Sequence, residues 1–422
     1  AQDQWMQPYY SINSQKMLKM QLPDTDTDIL VVGCGPAGLL AALKISHMDL
    51  KVTCIENQTQ EKHRKTIIAD NRSTAILMPG IHFLQDLGVW NEIKNYSEPL
   101  KKMRIIDAGG ESSEIRYLAD FNADEINQSQ FGYNVPNRFL KEQLVNNIKS
   151  NKSSSIEYNK SLSKVVTREK DVVTIFDDGT QISSKLIIAA DGRESFLRES
   201  QKIRKKKWSY DQKALAFVVS HEFPHENISI EIHRNKGPFT LVPLPSEGQN
   251  YRSAVVWMDQ TDVIDKLNSL SSTSFSKELQ KRSFNVLGNI EIIGERTSWP
   301  IISQYARKLH SERLALIAEA AHVFPPIGAQ GLNTSFGDVR SITGIIETCC
   351  NAGEDFGLQA YLEKYTNERW SQIYIKLLGI DTLNRAALFE NSTLKDLRLR
   401  ALKTIHKSDQ LRNIAIRSGL GY

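Results

Sequence analysis

The chain has 422 residues, 40% of them hydrophobic and 24% charged, with a formal net charge of +4. That length admits two or three structural units with an ample core, and the charge is too mild to argue for a nucleic-acid partner. No run reaches the roughly 18 apolar residues that span a bilayer, and the Gln- and Met-rich start lacks an apolar signal segment. Residues 1–23 are therefore read as an N-terminal extension outside the fold, and a cytoplasmic location is expected. Cys34, Cys54, Cys349 and Cys350 form neither a C-x-x-C pair nor a disulfide framework, so reduced thiols and no metal are expected.

The first element is the apolar, β-branched run Asp28–Gly33, which reads as a strand buried on both faces. Gly33, Gly35 and Gly38 follow in G-x-G-x-x-G spacing, with Pro36 and Ala37 opening a helix. The spacing suits a tight turn at Gly33, close approach of backbone to a pyrophosphate at Gly35, and close helix–strand packing at Gly38. A second strand, Val52–Ile55, ends at Glu56, 18 residues past Gly38, where a carboxylate can accept hydrogen bonds from an adenosine ribose. Strand, turn, helix and acid predict a bound dinucleotide. They do not separate FAD from NAD.

Two later segments have the same form. Lys185–Ala190 reads as a buried strand ending at Asp191 and Gly192. The run Leu314–Ala318 ends at Glu319, and Pro325, Pro326, Gly328 and Gly331 then stiffen and bare the backbone. Leu332–Cys350 is helix-compatible, which puts the N–H groups of Gly331, Leu332 and Asn333 at a helix N-terminus. That position favours negative charge, as on the pyrimidine edge of a reduced flavin. One FAD, held along its length by three pieces of backbone, accounts for all three segments.

Around residues 110–135 and 210–300 apolar and polar residues alternate, as in a sheet with one solvated face, most clearly over Ile228–His233. The predicted fold class is α/β: a Rossmann-like FAD-binding domain interleaved with a mixed β-sheet substrate domain, plus C-terminal helices. The expected limits are 24–109, 137–203 and 300–350 for the FAD-binding domain, 110–136 and 204–299 for the sheet domain, and 351–422 for the helices. Substrate is expected between domains, with Pro326, Leu241, Pro243 and Trp257 as cleft candidates.

Three other features are weighed separately. His221, Glu222 and His225 match the H-E-x-x-H zinc pattern, but Pro224 would break the helix that pattern needs, so no metal site is assigned. The basic run Arg204–Lys207 suits a solvated loop, a membrane surface or the phosphates of a nicotinamide cofactor. Leu394, Leu397, Leu402 and Ile405 form a stripe among basic residues, which can lie on an anionic bilayer or pack on the protein body.

With these anchors in place the chain resembles the p-hydroxybenzoate-hydroxylase type of single-component FAD monooxygenase. Within it, the chain is similar to the ubiquinone-biosynthesis hydroxylases of the UbiH/UbiF/VisC kind. The likeness runs from Asp28 to Gly421 and includes Asp70, Arg72 and Ala75, the Val135–Arg138 segment, Trp208–Gln212, and Gly237–Phe239 through Pro245. It implies that Arg72 and Asn137 lie beside the middle of the cofactor, Asp191 near the pyrophosphate and Glu319 near the ribityl chain. Gly331, Leu332 and Asn333 would then meet the isoalloxazine ring. The chain departs from the family at Ala318-Glu319, where Gly-Asp is usual.

The resemblance implies reduction of FAD by transiently bound NADPH or NADH, reaction with dioxygen, and hydroxylation of a ring by a flavin C4a-hydroperoxide, with no catalytic protein nucleophile. A polyprenylated phenol or benzoquinol of ubiquinone synthesis is the implied substrate, with contact to the inner membrane or to a biosynthetic complex left open. Hydroxylation of a small unprenylated aromatic, polyprenyl reduction, and a non-catalytic FAD-binding accessory role remain as alternatives.

Overall fold

The computed structural model describes residues 25–109, 114–234, 236–248, 250–388 and 392–420; the expected extension over 1–23 lies outside them. Among the described residues there are two eight-stranded sheets and one of three strands, and the α/β class read from the sequence is borne out.

The first sheet is built around Thr27–Val32, which pairs in parallel with Val52–Ile55 on one side and Gln181–Ala189 on the other. Leu314–Leu316 extends it in parallel beyond Gln181–Ala189, and His310–Ser311 closes that edge. Ile29, Leu30 and Val31 are fully buried, as expected for a parallel strand covered on both faces. The helices Pro36–Ser46 and Gln330–Ala352 supply much of that cover. Pro36 sits in the first turn, where its missing N–H removes no helical bond.

The second sheet is organised by a long ribbon. Lys205–His221 and Ile290–Ala306, 17 residues each, pair antiparallel from Lys205↔Ala306 to His221↔Ile290. At about 3.3 Å per residue the ribbon spans roughly 55 Å. Its register shifts between Ser209 and Lys213, where Asp211 takes φ +53°. Pairing, rather than alternation of residue types, decides which strands join it. Lys102–Asp107 enters by pairing with Ile228–His233, and Ile290–Ala306 runs through residue 299. Gly132–Pro136 instead joins Ser73–Leu77 and Glu98–Leu100 in the small sheet. The second sheet thus draws strands from Lys102–Asp107 through His322–Val323.

The chain continues in helices Gln359–Leu388, Ser392–Lys407 and Asp409–Leu420. The stripe of the second of these is mostly used internally. Leu402 and Ile405 pack with Phe121, Ile126 and Ile416, and Arg398 pairs with the buried Asp107 at 3.2 Å. Leu397 alone in the stripe is largely open, at 61% exposure. No helix among the described residues is long and apolar enough to cross a membrane.

Candidate functional site

Four parallel strands of the first sheet end along one edge. Their C-terminal ends lead into Gly33, Glu56, Asp191 and Glu319. Strand order turns back between Thr27–Val32 and Gln181–Ala189, the switch point at which open α/β sheets bind ligands.

The first two glycine-rich segments meet at that point. Gly33 has φ +106°, and a Cβ there would lie 2.2 Å from the Ala190 carbonyl oxygen; a Cβ on Gly38 would lie 2.0 Å from the Gly33 oxygen. Both glycines are therefore required by packing. Gly35 differs: it is exposed, it caps the helix without a side chain, and a Cβ there would meet nothing within 4 Å. Glu56 lies beside this turn, accepting from the Gln58 N–H at 3.0 Å, with His63 Nε2 3.7 Å away.

Asp191 accepts from the Leu197 N–H at 3.1 Å through Oδ2. Its Oδ1 is buried and has no partner among the described residues. Burial pushes this carboxyl above its usual range, against hydrogen bonds from Ser195 and Leu197 that favour the charge. Gly192 follows with φ +85° and open space around it.

The third segment is tied to the others by side chains. Arg193, just past Asp191, donates to both Glu319 carboxylate oxygens at 3.0 and 3.1 Å. Asn333 accepts from the Leu77 N–H at 2.9 Å and donates to the Ala75 carbonyl at 2.8 Å, joining the start of Gln330–Ala352 to strand Ser73–Leu77. That strand follows Arg72, which lies 6.0 Å from the Trp299 ring of the second sheet. Arg72 also grips Asp70 through two bonds of 2.8 and 3.0 Å. Burial of Asp70 opposes its charge, but hydrogen bonds from Arg72 and Lys141 prevail and bring the carboxyl down to about 2. Asn137 accepts from Thr74 at 2.8 Å, within the same cluster.

The helix Gln330–Ala352 starts without a side-chain cap, so the N–H groups of Gln330, Gly331 and Leu332 have no helical acceptor, and that of Asn333 begins the helical ladder. Gly328 and Gly331 are exposed, with no neighbour crowding their α-carbons. Two alanines here take the left-handed conformation, Ala318 at φ +54° and Ala329 at φ +54°. Behind them lies a charged group that the motifs alone do not reveal. Asp338 accepts from His322 Nε2 at 2.6 Å, from Arg369 Nε at 3.0 Å and from the Ala318 N–H at 3.0 Å. All three side chains are at most 8% exposed. Burial alone would raise the Asp338 carboxyl; His322 and Arg369 outweigh it and hold the pKa below its usual range. The signal in the sequence is a carboxylate between Phe336 and Val339, on the buried face of the helix.

The cleft candidates fare unequally. Pro326 is half-buried within the third segment. Pro243 is buried, and its carbonyl accepts from Asn134 at 2.8 Å, fastening the second sheet to the small one. Leu241 and Trp257 are corrected: at 0% and 4% exposure they belong to a closed core with Phe239, Val255 and Phe275. The pleat gives the reason. Trp257 pairs with Leu215 and Phe239 on the face covered by Thr261–Ser269 and Ser272–Arg282, while their neighbours Val256, Ala216 and Thr240 take the other face. Val256 packs toward the first sheet's core. Reading one residue out of register selects the wrong face.

His221 and His225 lie at a strand end and the following turn. Their ring nitrogens lie within hydrogen-bond distance of Phe223, Ser253, Leu244 and Asn227. No group of three or more His, Cys, Asp or Glu side chains among the described residues is placed to hold a metal ion.

The residues fit an extended dinucleotide. An open glycine turn, an unpartnered buried carboxylate oxygen and an uncapped helix N-terminus converge on one sheet edge. They define a dinucleotide-binding α/β protein. The FAD binding domain family matches residues 26–372, and the chain belongs to that family, which makes FAD the dinucleotide. The chain is 26% identical over 401 residues to the ubiquinone hydroxylase UbiL of Rhodospirillum rubrum, covering 94% of this chain and 90% of that protein. It is 25% identical to the ubiquinone hydroxylase UbiM of Neisseria meningitidis, covering 89% and 80%. In fold it is similar to p-nitrophenol 4-monooxygenase PnpA of Pseudomonas putida, with a TM-score of 0.75, 15% identity and coverage of 93% and 98%. The likeness to ubiquinone-biosynthesis hydroxylases read from the sequence is thereby borne out.

Proposed function

We propose that the protein is an FAD-dependent, NADPH- or NADH-driven hydroxylase of a polyprenylated phenol or benzoquinol in ubiquinone biosynthesis. The observation that carries this reading is the convergence of Gly35, Asp191 and the first turn of Gln330–Ala352 on one edge, opposite an apolar sheet face. Bound FAD supplies the oxygen chemistry; the protein binds, orients and shields.

In this reading Gly33, Gly35, Pro36, Ala37 and Gly38 hold the pyrophosphate against bare backbone, and Glu56 accepts from the adenosine ribose. The free Asp191 oxygen and Gly192 flank the pyrophosphate, and Arg72 and Asn137 border the middle of the cofactor. Glu319 serves the ribityl chain from its bridge with Arg193. Gly328, Gly331, Leu332 and Asn333 offer backbone to the ring edge, where the helix N-terminus favours negative charge. Thr240, Val242 and Val256 form the facing wall with Pro326. Small and partly apolar, that wall suits a flat ring and excludes competing water.

The purified holoprotein tests this. It is expected to oxidise NADPH or NADH faster with a prenylated phenol than with its unprenylated parent, and to place labelled oxygen from dioxygen in the product. Bound FAD without stimulated oxidation, or reduced product without label, overturns the assignment.

A further inference from the structure

The basic run Arg204–Lys207 takes no part in the cofactor groove, and its members separate. Lys205 and Lys207 are neutralised by Glu194 and Glu199 at 2.7–3.1 Å, and Lys206 lies 5.6 Å over the Trp208 ring. Arg204 has no ion-pair partner among the described residues. The Arg307 N–H donates to the Arg204 carbonyl at 2.9 Å, which brings a second basic pair, Arg307 and Lys308, alongside.

With Lys202 and His310 these residues line a cavity of about 290 Å³ whose lining carries four cationic side chains and no carboxylate. None of the four cations forms an ion pair among the described residues. Gln201, also in the lining, accepts from the Ser311 hydroxyl at 3.0 Å through its carbonyl oxygen, so its amide N–H groups remain available. His310 is 1% exposed, with Nδ1 2.6 Å from the Thr366 hydroxyl and Nε2 buried without a partner among the described residues. Burial, with the Lys308 charge acting the same way and Glu363 opposing, brings His310 down to about 4. The ring is therefore neutral at pH 7, with one of its two nitrogens protonated.

Four cations without ion-pair partners and free amide donors, in one cavity lined by no carboxylate, are the complement of a small, highly charged oxyanion. We propose that this cavity binds a phosphate group, at a site separate from the cofactor groove. His310–Ser311 is the edge strand of the first sheet, three strand spacings or roughly 14 Å from Thr27–Val32. The phosphate belongs either to a soluble phosphate compound or to a phospholipid headgroup, which present the same oxygens.

The test uses the FAD-loaded protein, so that added anion cannot fill the groove. Inorganic pyrophosphate is titrated calorimetrically, and binding is measured to phosphatidylcholine vesicles with and without phosphatidylglycerol. The variant is Arg204→Glu with Lys308→Glu, both exposed; the control with equal charge change is Lys152→Glu with Lys170→Glu, also exposed. Pyrophosphate binding that weakens about tenfold or more in the variant but not the control supports the site. Vesicle binding that needs phosphatidylglycerol, is lost in the same variant and is competed by pyrophosphate assigns it to a headgroup. Pyrophosphate binding without vesicle binding assigns it to a soluble phosphate. Binding of neither probe, or equal loss in variant and control, overturns the proposal.

Discussion

The first and third segments of the groove solve the same problem by opposite means. At Gly33–Gly38 the chain removes side chains: the positive φ falls on glycine. At Ala318–Ala329 the chain keeps side chains in a backbone conformation that disfavours them, and holds it with Asp338, His322 and Arg369. A left-handed alanine costs about 1–2 kcal/mol and persists only where its surroundings enforce it. Compatibility suffices for the first segment, whereas the third depends on partners up to 51 residues away in sequence.

The contrast is broken most severely at Asp338. Asp338→Asn leaves the buried Arg369 guanidinium uncompensated and disturbs the bonds to His322 and the Ala318 N–H, and is expected to cost about 3–5 kcal/mol in urea unfolding. A cost under about 1 kcal/mol would mean that the charges do not hold the segment. Next in size, Gly33→Ala drives a Cβ into the Ala190 carbonyl and is expected to cost about 2–4 kcal/mol, while Gly35→Ala stays within about 0.5 kcal/mol and weakens FAD binding instead. Equal stability losses at the two glycines would show that Gly35 is structural.

Acid provides a third handle. Asp70 is nearly buried and has a lower pKa folded than unfolded, so the unfolded chain takes up the proton first. Its stabilisation, about 2 kcal/mol, is complete above roughly pH 4 and lost as pH falls toward 2. Asp70→Asn is expected to flatten that part of the stability–pH curve; an unchanged curve refutes the assignment. Smallest in magnitude, Ala318→Gly relieves the left-handed residue and is expected to raise stability by about 0.5–1 kcal/mol. No gain would indicate that the Asp338 contact fully offsets the strain.

Much of the site was legible because its signals are local. Glycine spacing, strand runs and acids at strand ends are written within short windows, and the structure brings these segments to one sheet edge. What was not legible depends on pairing across the chain. The faces of Leu241 and Trp257 follow from their register with Phe239, Val255 and Leu215, and no window around either residue contains it. The Arg193–Glu319 bridge and the Asp338 cluster likewise join residues far apart in sequence. Ala318 is an instructive intermediate: its departure from the usual glycine was visible, but its conformation was not.

The paired strands Lys205–His221 and Ile290–Ala306 reach from Arg204 and Ala306, beside the first sheet, to the far end of the second. A ladder of this length, irregular between Ser209 and Lys213 and between Ala216 and Val218, works as a stiff axle. Main-chain bonds from Gln304 and Tyr305 to Val323 and His322 join that ladder to the third segment, and side chains such as Ala214, Met258 and Ile301 pack it on the first core. Any widening of the cleft must be taken up as twist, and the irregular turn of backbone around Asp211 is where such torsion would concentrate.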